Sequence, residues 1–145
     1  MQLTDRIPNC NGCEACVVGC KYMCVKMTEK DGCKVPVVNE DGCSKCNACM
    51  LYCPLYNPVE LPDFEEFFES EEDVRKRDMA PLYRATMRKL KDGKNAEFVG
   101  TLCQIAALKS LRGDKLGHNL AVFPIYCSEE QRQSSSACMA CPFYK

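Results

Sequence analysis

Residues 10–20 read CNGCEACVVGC and residues 43–53 read CSKCNACMLYC, so the spacing CxxCxxCxxxC occurs twice. Each cysteine of the second stretch lies 33 residues after its counterpart in the first. The repeated cysteines are Cys10, Cys13, Cys16 and Cys20, followed by Cys43, Cys46, Cys49 and Cys53. Three thiolates within seven residues, separated by small or polar side chains such as Asn11 and Gly12, predict a tight loop around a metal centre. The repeat therefore indicates a duplicated metal-binding unit.

This spacing is typical of bacterial ferredoxins, in which two such motifs hold two 4Fe-4S clusters. In that pattern the fourth cysteine of each motif binds the cluster of the other motif. The predicted ligands are Cys10, Cys13, Cys16 and Cys53 at a first site, and Cys43, Cys46, Cys49 and Cys20 at a second site. These names, first site and second site, are kept below.

Zinc and disulfide bonds are the alternative uses of so many cysteines. Structural zinc sites normally pair one CxxC with another a dozen or more residues away, and the two overlapping runs would leave surplus thiolates. Fourteen cysteines in 145 residues would suit a disulfide scaffold in a secreted chain. However, residues 1–11 lack a basic-then-apolar signal region, and no apolar run approaches the ~18 residues of a membrane span. We expect a cytoplasmic protein without a membrane span, whose thiols serve metals.

Charge is distributed unevenly although the net charge is only −1. Residues 1–58 contain six acidic and six basic residues, residues 59–80 nine and three, and residues 81–145 five and ten. The basic residues of the last segment are spaced along predicted helices without interleaved aromatic side chains, which disfavours nucleic-acid binding. We therefore expect protein partners rather than a nucleic acid.

The predicted fold class is α+β, in three segments. Residues 1–58 form a ferredoxin-like module with two 4Fe-4S clusters, residues 59–80 a small helical, acidic connector, and residues 81–145 a small α/β segment. Within the first segment, alternating apolar residues from Val25 to Val38 around Asp31-Gly32 predict a β-hairpin. Cys24 and Cys33 lie in its two arms, where they could face each other, and are interpreted as packing cysteines.

The later segments contain further helix and strand patterns. Residues 63–77 combine charge with spaced phenylalanines, which predicts a short amphipathic helix. Pro81 suits the first position of a helix that Asp92-Gly93 ends. The next elements predicted are a strand at 96–99, a helix at 102–111 and a buried strand at 120–126. These three lengths predict a minimal βαβ unit with parallel strands.

Four cysteines outside the repeat suggest a candidate third metal site. Cys103 and Cys127 each follow the carboxyl end of a predicted parallel strand, and these ends share one edge of a sheet. Cys138 and Cys141 add a CxxC pair after a polar run. A third cluster, a zinc ion and an unligated remnant of such a site are all compatible with this pattern. His118 is interpreted as a surface residue in a turn.

Several stretches resemble the coenzyme F(420) hydrogenase/dehydrogenase beta-subunit family. The order of the cysteine motifs around the hairpin segment DGCKVP at 31–36 is similar, and VGTLCQIAALK at 99–109 resembles the family's GTPCQ-type stretch. Residues 119–127 and the CMAC pair at 138–141 resemble later parts of the family. The resemblance covers 8–60 and 95–127 well and is patchy elsewhere.

The resemblance implies a flavin domain in a chain of several hundred residues, whereas only 17 residues separate Asp78 from Ala96 here. No glycine-rich phosphate loop replaces it, so we expect no tight flavin or deazaflavin binding. The leading interpretation is an iron–sulfur electron-transfer protein or subunit that passes single electrons between redox partners, such as oxidoreductase or hydrogenase-type subunits. The alternatives are a shortened flavin- or deazaflavin-linked oxidoreductase subunit completed by a partner chain, and an interaction module that carries a cluster or zinc.

Overall fold

The fold is that of a computed structural model, which describes residues 10, 12–30, 33–44, 46, 48–57, 59, 61, 64–68, 78–112 and 119–126. These residues contain four helices and two small sheets, an α+β composition. In chain order the elements are α1 (Ala15–Gly19), β1 (Val25–Lys30), β2 (Cys33–Val38), α2 (Ala48–Leu51), α3 (Met79–Lys91), β3 (Ala96–Gly100), α4 (Leu102–Arg112) and β4 (Leu120–Pro124). Across these ranges, no helix has both the length and the apolar character needed to cross a membrane.

The predicted hairpin is confirmed, because β1 and β2 pair antiparallel with Val25 opposite Val38 and Lys30 opposite Cys33. The register corrects one expectation about its cysteines. Cys33 lies at the turn end, whereas Cys24 precedes β1 and its carbonyl accepts a hydrogen bond from Asn39 at the other end. Cys24 and Cys33 therefore do not face each other, because six strand residues separate them by about 20 Å.

The predicted parallel strands are also confirmed, since Ala96 pairs with Leu120 and Gly100 with Pro124 across β3 and β4. Helix α4 is the crossover between them. The second strand is less buried than its apolar sequence predicts, because Ala121 is exposed and Val122 is only half-buried. One face of this sheet is therefore partly open.

Two boundaries differ from the expectations for the connector. Helix α3 begins at Met79, so Pro81 is its third residue, a position where the missing N–H needs no intrahelical partner. Within the predicted helix at 63–77, the described residues 64–68 are not helical. Phe68 instead pairs with Ile125 in an isolated parallel bridge, with Phe68 N–H donating to the Pro124 carbonyl. This pairing extends the β3–β4 sheet, and the remaining residues of that prediction lie outside the described ranges.

One hydrophobic cluster joins the first and last predicted segments. Its buried members are Cys13, Ala15, Met79, Tyr83, Phe98, Ile105, Ala107 and Leu108. Helix α3 contributes one face, because Met79, Tyr83, Thr86 and Leu90 recur at helical spacing and are buried. The α/β segment therefore packs directly on the loop that carries the first cysteine motif.

Candidate metal centres

The two cysteine motifs fold into the same local structure. Helix α1 begins at Ala15 and helix α2 at Ala48, which are equivalent positions of the 33-residue repeat. In each copy the third cysteine lies in the first turn of the short helix. Left-handed backbone at Gly12 (φ 72°) and Glu14 (φ 68°) forms the tight first loop. The repeat in sequence is thus a repeat in conformation.

The second site is a pocket with five cysteines in its lining. They are Cys20, Cys24, Cys43, Cys46 and Cys49. Three belong to the second motif, and Cys20 comes from the first motif, as the crossed arrangement predicts. Val25 and Val38 of the hairpin form part of the wall. Four of these five cysteines are the predicted ligands of the second site, and Cys24 is the unexpected fifth.

The cysteines of the first site also lie near one another. Burial raises the pKa of the Cys16 thiol, with further contributions from the negative charge of Cys10 and Cys53. The effect of Cys53 means that the last cysteine of the second motif lies beside the first motif, again as the crossed arrangement predicts. Cys49 acts on Cys16 as well, so the two groups of cysteines adjoin.

The two sites differ in their exposure to solvent. At the first site Cys13, Cys16 and Cys53 are buried and Cys10 is half-buried. At the second site Cys46 is exposed, and Cys20, Cys43 and Cys49 are half-buried. Burial raises the pKa of Cys13, whereas hydrogen bonding from Ser44 and from the Ala48 backbone lowers the pKa of Cys46.

Two long-range hydrogen bonds attach α3 to the first site. The buried Glu14 carboxylate accepts a bond of 2.7 Å from the Met79 N–H, which stabilises the otherwise unpaired N-terminus of α3. The Tyr83 hydroxyl donates to the Cys13 carbonyl at 2.6 Å, and its ring stacks on Phe98. These bonds hold the backbone of the first motif against the α/β segment.

Cys103, predicted to belong to a third site, lies in the first turn of α4. Its sulfur is 3.0 Å from the Thr101 hydroxyl oxygen, and its negative charge contributes to the raised pKa of Cys13. The structure thus brings Cys103 towards the first site. Cys127, Cys138 and Cys141, together with His118, lie outside the described residues. The third site stays a prediction.

Sequence reasoning missed the placement of Cys24, which was interpreted as a packing residue of the hairpin. It is buried, with 4% of its surface exposed, but it packs beside Cys16, Cys20, Cys43 and Cys49. A signal was available, since Cys24 follows the fourth cysteine of the first motif by only four residues.

In the part of the chain that the structure describes, no group of three or more histidine, cysteine, aspartate or glutamate side chains is arranged to hold a single metal ion. A tetrahedral zinc site needs sulfurs about 3.8 Å apart, given its Zn–S bonds. A cubane binds each thiolate at a different iron, so its ligands surround a wider space. The composition of the pocket lining is therefore the observation that bears on a cluster.

A separate pocket lies between α4, β4 and the chain at Leu61 and Phe64. Its lining is mainly apolar, with Ile105, Leu108, Leu120 and Val122, and it includes the basic side chains of Lys109 and Arg112. None of its lining residues is a cysteine.

Comparison with known proteins leaves the chain without a relative, as no family profile, curated protein or solved structure matches it.

Proposed function

We propose that the protein is an iron–sulfur electron-transfer protein or subunit that carries two 4Fe-4S clusters. The carrying observation is the lining of the second-site pocket, where Cys20 of the first motif joins Cys43, Cys46 and Cys49 of the second. A cysteine that followed only sequence proximity would lie with its own motif. The interleaved arrangement is the one that two-cluster ferredoxins use.

The donor set suits this cofactor. Eight cysteine sulfurs from two loops provide four thiolates for each cluster, and the clusters supply one-electron chemistry when bound. The Cys24 N–H points at the Cys20 sulfur, with a nitrogen–sulfur distance of 3.5 Å. Such N–H···S bonds, together with burial, tune the reduction potential of a cluster. The chain itself thus binds, shields and electrostatically tunes the centres.

The exposure of the second site favours it as the point of electron exchange with a partner protein. Cys46 is exposed, and the pocket also touches Tyr22, whose side chain is half exposed. Met23 beside it is the most exposed large apolar side chain of the described residues, at 72%. A redox partner that docks here would approach the second site more closely than the buried first site. The partners are proposed to be oxidoreductase or hydrogenase-type subunits.

Membership of the coenzyme F(420) beta-subunit family is likewise a proposal, supported by the motif order and by the segment at 99–109. The alternative of a shortened flavin- or deazaflavin-linked subunit, completed by a partner chain, rests on that resemblance. The test below separates it from the electron carrier.

The test is metal, sulfide and flavin analysis of protein prepared without oxygen. We expect about eight irons and about eight acid-labile sulfides per chain, or about twelve of each if a third cluster forms. Stoichiometric zinc without sulfide would overturn the proposal. A stoichiometric flavin absorption band would instead support the oxidoreductase subunit.

A further inference from the structure

Cys24 is a fifth cysteine at a site that needs four. Its buried side chain contacts the same cluster of residues as the half-buried Cys20, Cys43 and Cys49. The raised pKa of Cys24 has burial as its first cause, followed by the charges of Cys20, Cys43 and Cys46. Its sulfur therefore lies near ligands from both motifs.

Backbone contacts hold Cys24 at this position. Its carbonyl accepts a hydrogen bond of 2.7 Å from the Asn39 N–H, which ties it to the base of the hairpin. Gly42, next to Cys43, approaches so closely that an added Cβ would lie 3.2 Å from the Cys24 sulfur. The thiol thus lies against the loop that leads into the second motif.

The chain between Cys20 and Cys24 is a surface turn. The Met23 N–H donates to the Cys20 carbonyl, and Met23 has left-handed backbone with φ 55°. Lys21, Tyr22 and Met23 are all exposed. This turn can rearrange without disturbing either hydrophobic cluster, so Cys20 and Cys24 can exchange places at modest cost.

We propose that Cys24 is a reserve ligand of the second site, able to bind the iron that Cys20 normally binds. The inference rests on the proposed two-cluster function. When Cys20 is absent or has left the iron, the Cys24 thiol releases its proton to water and forms the iron–sulfur bond in its place. This exchange gives up the weak hydrogen bond from the Cys24 thiol to the Tyr22 carbonyl, which spans 3.5 Å. A packing cysteine would not have this ability.

Four variants test the proposal by iron content, sulfide content and the electron paramagnetic resonance spectrum of the reduced protein. Cys20→Ala is expected to retain about eight irons with a shifted second-site signal, because a new ligand binds the cluster. Cys20→Ala/Cys24→Ala is expected to retain only about four irons. Cys24→Ala alone should keep both clusters and an unchanged ligand set, which also shows that alanine at this position permits folding.

Cys33 offers a matched control, since its backbone lies at the far end of the same hairpin. Cys20→Ala/Cys33→Ala should behave like Cys20→Ala. The signal of the first site serves as an internal measure of folding in every variant.

Two outcomes would overturn the reserve-ligand proposal: loss of about four irons in Cys20→Ala alone, or retention of about eight in the Cys20→Ala/Cys24→Ala variant. Wild-type protein without iron and sulfide would instead contradict the proposed function itself. The wild-type measurement therefore distinguishes the two failures.

Discussion

The first and second sites have the same cysteine spacing but different surroundings. Three of the four predicted ligands at the first site are buried, whereas none at the second site is buried and Cys46 is exposed. The first motif lies under α3 and α4, while the second-site pocket is walled on one side by the hairpin. The comparison teaches that spacing selects which residues can bind metal, whereas packing decides how close solvent and partners come.

The largest expected difference between the sites follows from removing equivalent ligands. Cys13 and Cys46 occupy the same position of the repeat, so Cys13→Ala and Cys46→Ala should each lower the iron content from about eight to about four per chain. Only Cys13→Ala should also loosen residues 78–112, because Cys13 belongs to the cluster that these residues share. Limited proteolysis would detect this loosening. Equal protease resistance of the two variants would contradict the asymmetry.

Tyr83 provides a test of the contact between the first site and the α/β segment. Its ring is fully buried and stacks on Phe98, so Tyr83→Ala should lower the free energy of unfolding by ~3–5 kcal/mol. Tyr83→Phe removes only the hydroxyl that bonds the Cys13 carbonyl and should cost about 1 kcal/mol. Anaerobic urea unfolding followed by far-ultraviolet circular dichroism measures both.

The control for this experiment is Tyr56→Ala, because Tyr56 is exposed and its replacement should change the free energy of unfolding by less than about 0.5 kcal/mol. A Tyr83→Ala variant as stable as the control would show that the α/β segment does not depend on this contact.

The smallest expected effect is a difference in the rate at which a chelator removes iron. Exposed ligands let the second site react through smaller openings of the fold, and a 1.4 kcal/mol difference in opening free energy gives about a tenfold faster release. Iron release should therefore be biphasic. The Cys46→Ala variant should lack the fast phase, and a variant that instead lacks the slow phase would reverse the assignment.

Local patterns predicted the elements whose cause is local. The Asp31-Gly32 turn between alternating apolar residues predicted the hairpin, and the lengths of the apolar runs after Ala96 predicted the parallel pair β3 and β4. These predictions succeed because side-chain periodicity and turn chemistry act within a few residues. The short helices α1 and α2 in the repeat are equally local, since each begins just before the third cysteine of its motif.

Contacts between distant residues were not predictable in the same way. Phe68 pairs with Ile125, 57 residues away, and the spaced phenylalanines near it indicated a helix instead. Glu14 stabilises the start of α3 across 65 residues, although its sequence neighbourhood identifies it only as a loop residue between ligands. Such pairings depend on which faces meet in the folded chain, and no single segment encodes them.

The sequence by itself determined the ligand inventory, because eight cysteines at repeated spacing can surround two metal centres whatever covers them. It also determined the hairpin and the parallel strand pair through local periodicity. Only the tertiary structure decided that the first site is buried under α3 and α4. It also decided that Cys24 joins the second site and that Cys103 lies towards the first. Burial and proximity arise when separate segments pack together to remove apolar surface from water, and a local spacing does not contain that information.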